Sequence, residues 1–255
     1  AGTTVRSLTL SEREYELSAE SFDKAGNRSV QSEVLSLDVD RTAAAAPAAL
    51  NLLTVSDSFD NFTTTVGQMN PIGTSSDDIT NINRPAFSGT AESNAKVRIY
   101  SGTELIGQGD ATATGAWEIT VEPLVNGLHA IKAEQEDLAG NVSALTTVLN
   151  LTVDTVAPQR PTLDLLAAND SGNSDLDNVT NQANDIPFTV TAEAASRVLI
   201  KDGETVIDDF VMPAAGTTVR SLTLSEREYE LSAESFDKAG NRSVQSEVLS
   251  LDVDR

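Results

Sequence analysis

The residues best suited to chemistry are aspartates and asparagines that recur at one fixed spacing. The motif Asp-x-Ala-Gly-Asn begins at Asp23, Asp137 and Asp237. In every copy a further aspartate follows 17 residues after the first one, at the end of a hydrophobic run. These later aspartates are Asp40, Asp154 and Asp254. Calcium binds about six to eight oxygens from carboxylates, amides and backbone carbonyls held on loops, so the repeated pattern predicts calcium sites.

The same residue types have an ordinary use, because Asp and Asn side chains hydrogen-bond nearby backbone in turns. Each Asp-x-Ala-Gly-Asn motif could be such a turn, with its glycine at positive φ. Two observations favour calcium: the three copies with one spacing, and the excess of 39 Asp and Glu over 17 Lys and Arg, which leaves a net charge of −22. Bound cations would offset part of that charge.

Long identical stretches reveal how the chain is organised. Residues 1–41 and 215–255 are identical at every position, at an offset of 214 residues, which indicates a tandem array with recent duplication. Inside this unit the motifs at Asp137 and Asp237 are offset by 100 residues. We therefore predict the C-terminal part of one domain, then two complete related domains joined by short Ala- and Pro-containing linkers. The predicted bounds are 1–41, 42–155 and 156–255.

Alternating hydrophobic and polar residues predict an all-β chain, as at 96–100, 117–121 and 229–233. Glycine-containing turns separate these runs, and no segment has helical periodicity of useful length. About seven short strands per 100 residues is typical of an immunoglobulin-like sandwich, so tandem immunoglobulin-like β-sandwiches arranged as an extended rod are predicted. The strands are expected near 48–55, 84–91, 95–101, 104–110, 116–122, 127–135 and 145–153, then 161–167, 186–193, 196–201, 204–210, 217–224, 228–235 and 244–253.

Stacking two such sandwiches would bring three acidic elements together. The loop between the first two strands lies at the C-terminal end of a domain, and the loop between the last two strands lies beside the incoming linker. Several unpaired carboxylates at one point repel one another unless a cation neutralises them, so calcium would lock the angle between the domains. The candidate ligands at the junction inside this chain are Asp57, Asp60, Asp77, Asp78, Asp154, Asp237 and Asn241.

The same reasoning predicts two more acidic sets. At the N-terminal end of the first complete domain it places Asp40, Asp137 and Asn141. At the C-terminal end of the second domain we expect a set that is incomplete in this chain, formed by Asp170, Asp175, Asp177 and Asp254. Glu134 and Glu234 precede the loop aspartates by three residues and are lesser candidates.

Composition excludes several other chemistries. The chain has no cysteine, which removes disulfides, zinc–thiolate sites and thiol nucleophiles, and its single histidine, His129, cannot build a site of several histidines. Because a surface this acidic repels phosphates, we expect no nucleic-acid partner. No run has bilayer-spanning length, so no direct membrane insertion is expected, and any export signal is expected elsewhere in a longer parent. His129 and Trp117 are expected to pack in the domains.

Several motifs occur together in a recognisable order. Val-Asp-Thr-Val-Ala-Pro at 153–158 follows a predicted strand, Asp-Ser-Gly-Asn-Ser-Asp-Leu-Asp-Asn-Val-Thr at 170–180 lies early in a domain, and Pro-Ala-Phe-Ser-Gly-Thr-Ala at 85–91 precedes a Val-x-Ile-Tyr run. Together with the Asp-x-Ala-Gly-Asn-x-Ser loops, these motifs resemble the bacterial Ig-like repeats of very large RTX-type adhesins of Gram-negative bacteria. The second domain departs from it, with Pro-Phe-Thr-Val-Thr-Ala at 187–192.

The resemblance implies an extracellular, cell-surface setting. It implies a calcium-stiffened extender arm, exported by type I secretion, that holds a ligand-binding tip away from the cell for biofilm formation or surface attachment. We therefore expect a non-catalytic spacer whose partners are neighbouring repeats of the same chain. We expect no enzyme, because the paired carboxylates lie in repeated loops rather than in one cleft.

Two other functions remain open from the residues. One domain could itself bind a carbohydrate or a protein, and the long loop at 56–81, with its insertion at 61–73, is either a binding loop or surface decoration. The aromatic content of only 4% argues against an aromatic binding patch. A third reading is a non-catalytic accessory module of a secreted hydrolase, which near-perfect duplication disfavours.

The partial domain at 1–41 raises a separate question. It should supply only the last three strands of a sandwich, which would leave strand edges and half of a core exposed. Because it is identical to 215–255, residues 158–214 of another molecule could accept it in a head-to-tail domain swap. The alternative is that this segment packs loosely.

Overall fold

The computed structural model describes residues 4–59, 72–171, 174, 177–182 and 184–255. Apart from a three-residue 3-10 helix at Ala167–Asn169, the regular structure in these residues is β-strand. The strands form one two-stranded sheet and two pairs of facing sheets. None of the described residues forms a helix with the length and apolar character that crossing a membrane requires.

The N-terminal segment forms a hairpin. Its strands are β1 (Arg13–Leu17) and β2 (Leu35–Val39), paired antiparallel with Arg13 opposite Val39. The expectation of three strands in 1–41 was wrong for the described residues, which contain two. Residues 4–8 form no strand, and among the described residues no strand lies beside them to complete a ladder of backbone hydrogen bonds.

In its described residues, the first sandwich has eight strands in two sheets. The three-stranded sheet has the order β3-β5-β8, and the five-stranded sheet has the order β4-β10-β9-β6-β7. The strands are β3 (Ala48–Leu52), β4 (Ile79–Thr80), β5 (Ala86–Thr90), β6 (Lys96–Ser101), β7 (Glu104–Asp110), β8 (Ala116–Thr120), β9 (Gly127–Glu136) and β10 (Leu149–Val153).

Alternation along these strands places one face of each sheet in a shared core. Phe87, Val97, Ile99 and Ile131 are fully buried there, and Trp117 is 4% exposed, as predicted for it. The indole of Trp117 lies across Gly89, where an added Cβ would be 2.5 Å from the indole Cζ2 atom. Glycine at this position therefore makes room for the largest core side chain.

The second sandwich repeats this arrangement. Its sheets have the orders β11-β13-β16 and β12-β18-β17-β14-β15. Its core contains Phe188, Ile200, Leu231 and Leu251. The strands are β11 (Thr162–Leu165), β12 (Val179–Thr180), β13 (Ile186–Thr191), β14 (Arg197–Asp202), β15 (Thr205–Val211), β16 (Thr217–Leu222), β17 (Arg227–Phe236) and β18 (Leu249–Val253). The prediction of tandem β-sandwiches is confirmed.

Two short parallel strands were not predicted, and they matter for the junction. β4 pairs with β10 and β12 pairs with β18, each over two residues. Two residues are too few to show alternation in a sequence. These pairings bring the end of each first loop beside a linker aspartate: the amide of Asp154 donates to the Thr80 carbonyl at 2.8 Å, and that of Asp254 to the Thr180 carbonyl at 3.0 Å.

Candidate functional site at the sandwich junction

The Asp-x-Ala-Gly-Asn motif of the second sandwich forms a closed turn between β17 and β18. Asp237 Oδ1 accepts a hydrogen bond from the Asn241 amide at 2.9 Å, and Asp237 Oδ2 accepts one from Asn241 Nδ2 at 2.8 Å. Gly240 closes the turn at φ 84°, with its amide 3.2 Å from the Asp237 carbonyl. The motif is therefore a turn with glycine at positive φ, the ordinary use of these residues.

The other two copies make the same turn. The carboxylate of Asp137 accepts from the Asn141 amide at 2.8 Å and from Asn141 Nδ2 at 2.9 Å. The carboxylate of Asp23 accepts the equivalent two bonds from Asn27, both at 2.8 Å. Any cation at these turns would share oxygens that already orient the turn.

The electrostatic surroundings of the three turns differ. The pKa of Asp23 and that of Asp137 are both lowered, first by the hydrogen bond from the asparagine side chain four residues later. The pKa of Asp237 is raised, because burial outweighs the same hydrogen bonds and the charge of Asp154 adds to it. Only the turn at the junction inside the chain is buried in this way.

The linker aspartate is fastened to that turn through its backbone. Asn241 Nδ2 donates to the Asp154 carbonyl at 2.8 Å, in addition to its bond with Asp237. At the other linker the equivalent contact, from Asn141 Nδ2 to the Asp40 carbonyl, is longer at 3.4 Å. The predicted residues Asp154, Asp237 and Asn241 therefore do meet at one place.

The first loop contributes a buried carboxylate. Asp57 is 3% exposed, its Oδ2 accepts from the Asp78 amide at 3.4 Å, and its Oδ1 has no hydrogen-bond partner. Burial, with the nearby charges of Asp77 and Asp78, raises the pKa of Asp57 to about 6. Burial and the charge of Asp77 also raise the pKa of Asp78. Ionising Asp57 and Asp78 in the folded state therefore costs free energy of folding.

The remaining predicted ligands have local roles or lie outside the described residues. Asp77 accepts from the amides of Thr74 and Ile79 at 3.1 and 3.2 Å, as a turn former. Asp60 and Asp175 fall outside the described residues.

The C-terminal set is partly gathered. Asp170 Oδ1 and Asp177 Oδ1 both approach the Val179 amide, at 3.2 and 3.3 Å, while the Asp254 backbone pairs with Thr180. At the N-terminal set, Asp40 Oδ1 accepts from the Thr42 amide at 2.9 Å.

The lesser candidates are ion-paired on the sheets. Glu234 meets Lys201 at 2.5 Å and also pairs with Arg242. Glu134 accepts from the Tyr100 hydroxyl at 2.7 Å and lies 3.6 Å from Arg98. Within the described part of the chain, no group of three or more His, Cys, Asp or Glu side chains is arranged to hold a metal ion.

Glu193 is an acidic residue of the junction that the sequence motifs missed. It lies between β13 and β14, and a cleft of about 270 Å³ is lined by Glu193, Asp154 and Asp237 together with their neighbours. The pKa of Glu193 is raised by partial burial, then by the charges of Asp237 and Asp154. One signal could have found it, because Glu92 stands at the corresponding turn of the first sandwich.

His129 has a packing role, as expected. Its Nε2 donates to the Val125 carbonyl at 2.8 Å, and its Nδ1 lies 3.0 Å from the Ser101 hydroxyl. It faces Leu151 across β9 and β10. Both ring nitrogens of His129 are therefore engaged within the first sandwich.

Comparison with solved structures finds distant likenesses. Fibronectin(III)-like modules of Clostridium thermocellum CbhA are 19% identical, over 77% of this chain and 93% of that chain, with a TM-score of 0.42. A biofilm associated protein BSP domain is 16% identical, over 69% of this chain and 28% of that chain, with a TM-score of 0.29. The C-terminal fragment of intimin, in complex with its receptor's intimin-binding domain, is 10% identical over 82% and 64%, with a TM-score of 0.40.

Comparison with family models is more direct. No match was found among curated proteins. The model of the bacterial Ig-like domain matches residues 59–155 and again residues 157–255. These two consecutive matches cover most of the chain and fall on the two sandwiches. The chain therefore belongs to the bacterial Ig-like domain family, with two members in tandem.

Proposed function

We propose that this chain is a non-catalytic extender segment of a bacterial cell-surface adhesin. Two bacterial Ig-like domains in tandem support a structural, non-catalytic role in a surface protein. The observation that carries the extender role is the fastened junction, where Asn241 Nδ2 donates to both Asp237 and the Asp154 carbonyl. A fixed angle between consecutive domains turns added repeats into added length.

We further propose that calcium stiffens the junction. The residues present suit a hard cation, because Asp57 Oδ1 is buried without a partner and Asp57, Asp78, Asp237 and Glu193 all have raised pKa values. A bound cation would supply the positive charge that this region lacks.

The proposed ligand set follows from these surroundings. Asn241 can offer only its Oδ1, since its amide nitrogen is engaged in holding the linker. The residues proposed to hold calcium form two sets: Asp57, Asp77 and Asp78 on the first loop, and Asp154, Asp237 and Glu193 at the linker.

Thermal unfolding in calcium and in excess EDTA tests this proposal, with magnesium as the control ion. An ion that binds only the native state raises its stability by about 2.7 kcal/mol at 100 times its Kd. We expect a calcium-specific rise in Tm. Equal melting in the two buffers would remove the calcium clamp and leave a calcium-independent junction.

The setting of the adhesin is part of the proposal. The motif order that resembles RTX-type adhesins supports export by type I secretion and a role in biofilm or surface attachment. Labelling intact cells with an antibody against this chain, in a strain with and without its type I exporter, tests the setting. Surface label that persists without the exporter would exclude this route.

The hairpin of β1 and β2 supports a further partner. We propose that residues 158–214 of a second copy can accept residues 1–41, because they cover the identical residues 215–255 in this chain. Each exchange must displace a resident segment, so the test is light scattering after refolding at high protein concentration. We expect head-to-tail oligomers, and a strict monomer at every concentration would exclude the swap.

A further inference from the structure

A serine of the first loop joins the two sandwiches directly. Ser58 Oγ donates to the Ala239 carbonyl at 2.7 Å, and Ala239 lies in the turn of the second sandwich. The same hydroxyl oxygen accepts from the Asn81 amide at 2.6 Å, at the far end of the loop. One side chain therefore ties the start and the end of the first loop to the neighbouring domain.

A glycine on the other arm of the loop completes the contact. A Cβ added at Gly73 would collide with the backbone carbonyl oxygen of Lys238 and would lie 3.1 Å from Cβ of Phe59. The loop backbone thus rests on the turn without space for a side chain. The two consecutive carbonyls of Lys238 and Ala239 are both covered by the first loop.

Burial shows that this contact is specific to one copy of the turn. Ala239 is 1% exposed. Ala25, in an identical sequence with the same turn hydrogen bonds, is exposed, and so is Ala139. The turn itself therefore leaves its alanine open, and the first loop of the neighbouring sandwich covers it.

The second sandwich carries a loop built in the same way. Ser171 Oγ accepts from the Asn181 amide at 2.9 Å, as Ser58 does from Asn81. Asp170, which precedes this serine, accepts from the Asn178 amide at 3.2 Å, as Asp57 accepts from the Asp78 amide. The two first loops therefore share an Asp-Ser pair held against the strand that follows the loop.

We infer that the Asp-x-Ala-Gly-Asn turn is a docking element and that the Asp-Ser first loop of the preceding domain is its receptor, a direct contact that orients consecutive domains without a cation. Ala239 is 1% exposed in the docked turn, so we expect a larger side chain at this position to disturb the contact. This deepens the proposed extender function, since the same turn and loop then carry the angle along an array.

The order of domains in the array gives the partner of Asp170 and Ser171 on the second sandwich. Residues 1–41 have the sequence that ends the second domain, and residue 42 follows them directly. A domain of the first type therefore follows one of the second type in this array. Where a first-type domain follows the second sandwich, its turn at 137–141 would therefore contact Asp170, Ser171 and Asn181.

A matched pair of substitutions tests the contact inside the chain. Ala239→Gln and Ala25→Gln change the same residue in the same local sequence, docked in one place and exposed in the other. Because the chain has no cysteine, spin labels can be placed at Glu118→Cys and Glu204→Cys, both exposed, and their separation measured in EDTA. We expect Ala239→Gln to abolish the single narrow distance peak and Ala25→Gln to preserve it.

Two results would contradict this contact. A narrow peak in the Ala239→Gln chain, or equal broadening by both substitutions, would overturn the inference. Ser58→Ala removes the hydrogen bond without adding volume, so it should broaden the peak in part even if Ala239→Gln folds poorly. Because these distances are measured in EDTA, a missing calcium effect on the wild type would count against the calcium clamp alone.

A longer chain tests the second receptor. Residues 42–155 are appended after Arg255, so that the appended turn meets the loop at 170–181. Ala139→Gln in the appended copy should broaden the distance between labels on the second and appended sandwiches, whereas Ala139→Gln in the original copy should not. Equal responses in the two copies would overturn the assignment of this loop as a receptor.

Discussion

The same 41-residue sequence occurs twice in this chain, in two different surroundings. In both copies the hairpin keeps one register, with Arg13 opposite Val39 and Arg227 opposite Val253. Yet β1 ends at Leu17 after five residues, whereas β17 continues to Phe236 over ten. The local pairing of a hairpin is thus independent of the rest of the sandwich, while the length of a strand depends on the neighbour, here β14, that continues its ladder.

Side-chain burial differs more sharply than register. Leu35 is 61% exposed and its copy Leu249 is 8% exposed. Phe22 is 63% exposed and its copy Phe236 is 7% exposed. The rest of the second sandwich, and not the hairpin alone, removes these side chains from water, and that removal is the main source of stability.

The largest expected difference between the copies is in stability. Leu251→Ala deletes a side chain that is 1% exposed and should cost about 2–5 kcal/mol in the free energy of unfolding. Leu37→Ala, the same substitution in the first copy, should cost less than about 1 kcal/mol, because Leu37 is 37% exposed. Urea denaturation measures both. Similar losses would mean that residues 1–41 are covered in solution, as a strand exchange requires.

The two copies of the turn should also differ in their effect on the calcium-dependent rise in Tm, by a smaller amount. Asp237→Asn removes a charge at the junction, and Asp23→Asn removes the same charge from an exposed turn. We expect the calcium-dependent rise in Tm to shrink strongly in Asp237→Asn and to persist in Asp23→Asn. Circular dichroism in EDTA checks that both variants fold. A full calcium response in Asp237→Asn would move the ion away from this turn.

Hydrogen exchange should follow strand length. The amides of 232–236 lie in β17 beside β14, and those of 18–22 have no such neighbour. Exchange at Ser232 and Glu234 should be slower than at Ser18 and Glu20 by roughly two orders of magnitude. NMR resolves the two copies although their sequences are identical. Equal rates would show that the second half of the strand forms without its neighbour.

Much of this architecture could be predicted from the sequence, because alternation reports directly on a strand with one buried face. The two-residue strands β4 and β12 carry no such pattern and exist only through their parallel neighbours. The third strand predicted in residues 1–41 does not form in the described residues, because no partner strand lies beside it there. A local pattern therefore does not report whether the distant neighbour that a strand needs is present.

The junction was predictable to a similar extent. Spacing brought Asp154 and Asp237 together correctly, since loops and linkers of stacked sandwiches have fixed positions. Glu193 was not predicted because it belongs to a different turn from the repeated motif. Ser58 and Gly73 were not predicted because a hydroxyl and a glycine acquire their role only when the second sandwich lies against them.

The smallest effect concerns pH and distinguishes the buried first loop from the exposed turns. The pKa of Asp57 is raised to about 6 by burial and by Asp77 and Asp78, whereas that of Asp23 is lowered by its hydrogen bond from Asn27. Because the folded state holds the Asp57 proton more tightly than the unfolded state does, the stability from this group is present at low pH. It is lost as the pH rises through about 6, so the calcium-free chain should be roughly 1 kcal/mol less stable at pH 7 than at pH 5 from this group. Asp57→Asn should flatten that part of the profile, while Asp23→Asn should not. An unchanged slope in Asp57→Asn, measured by urea denaturation in EDTA, would mean that this carboxylate is solvated and does not store charge at the junction.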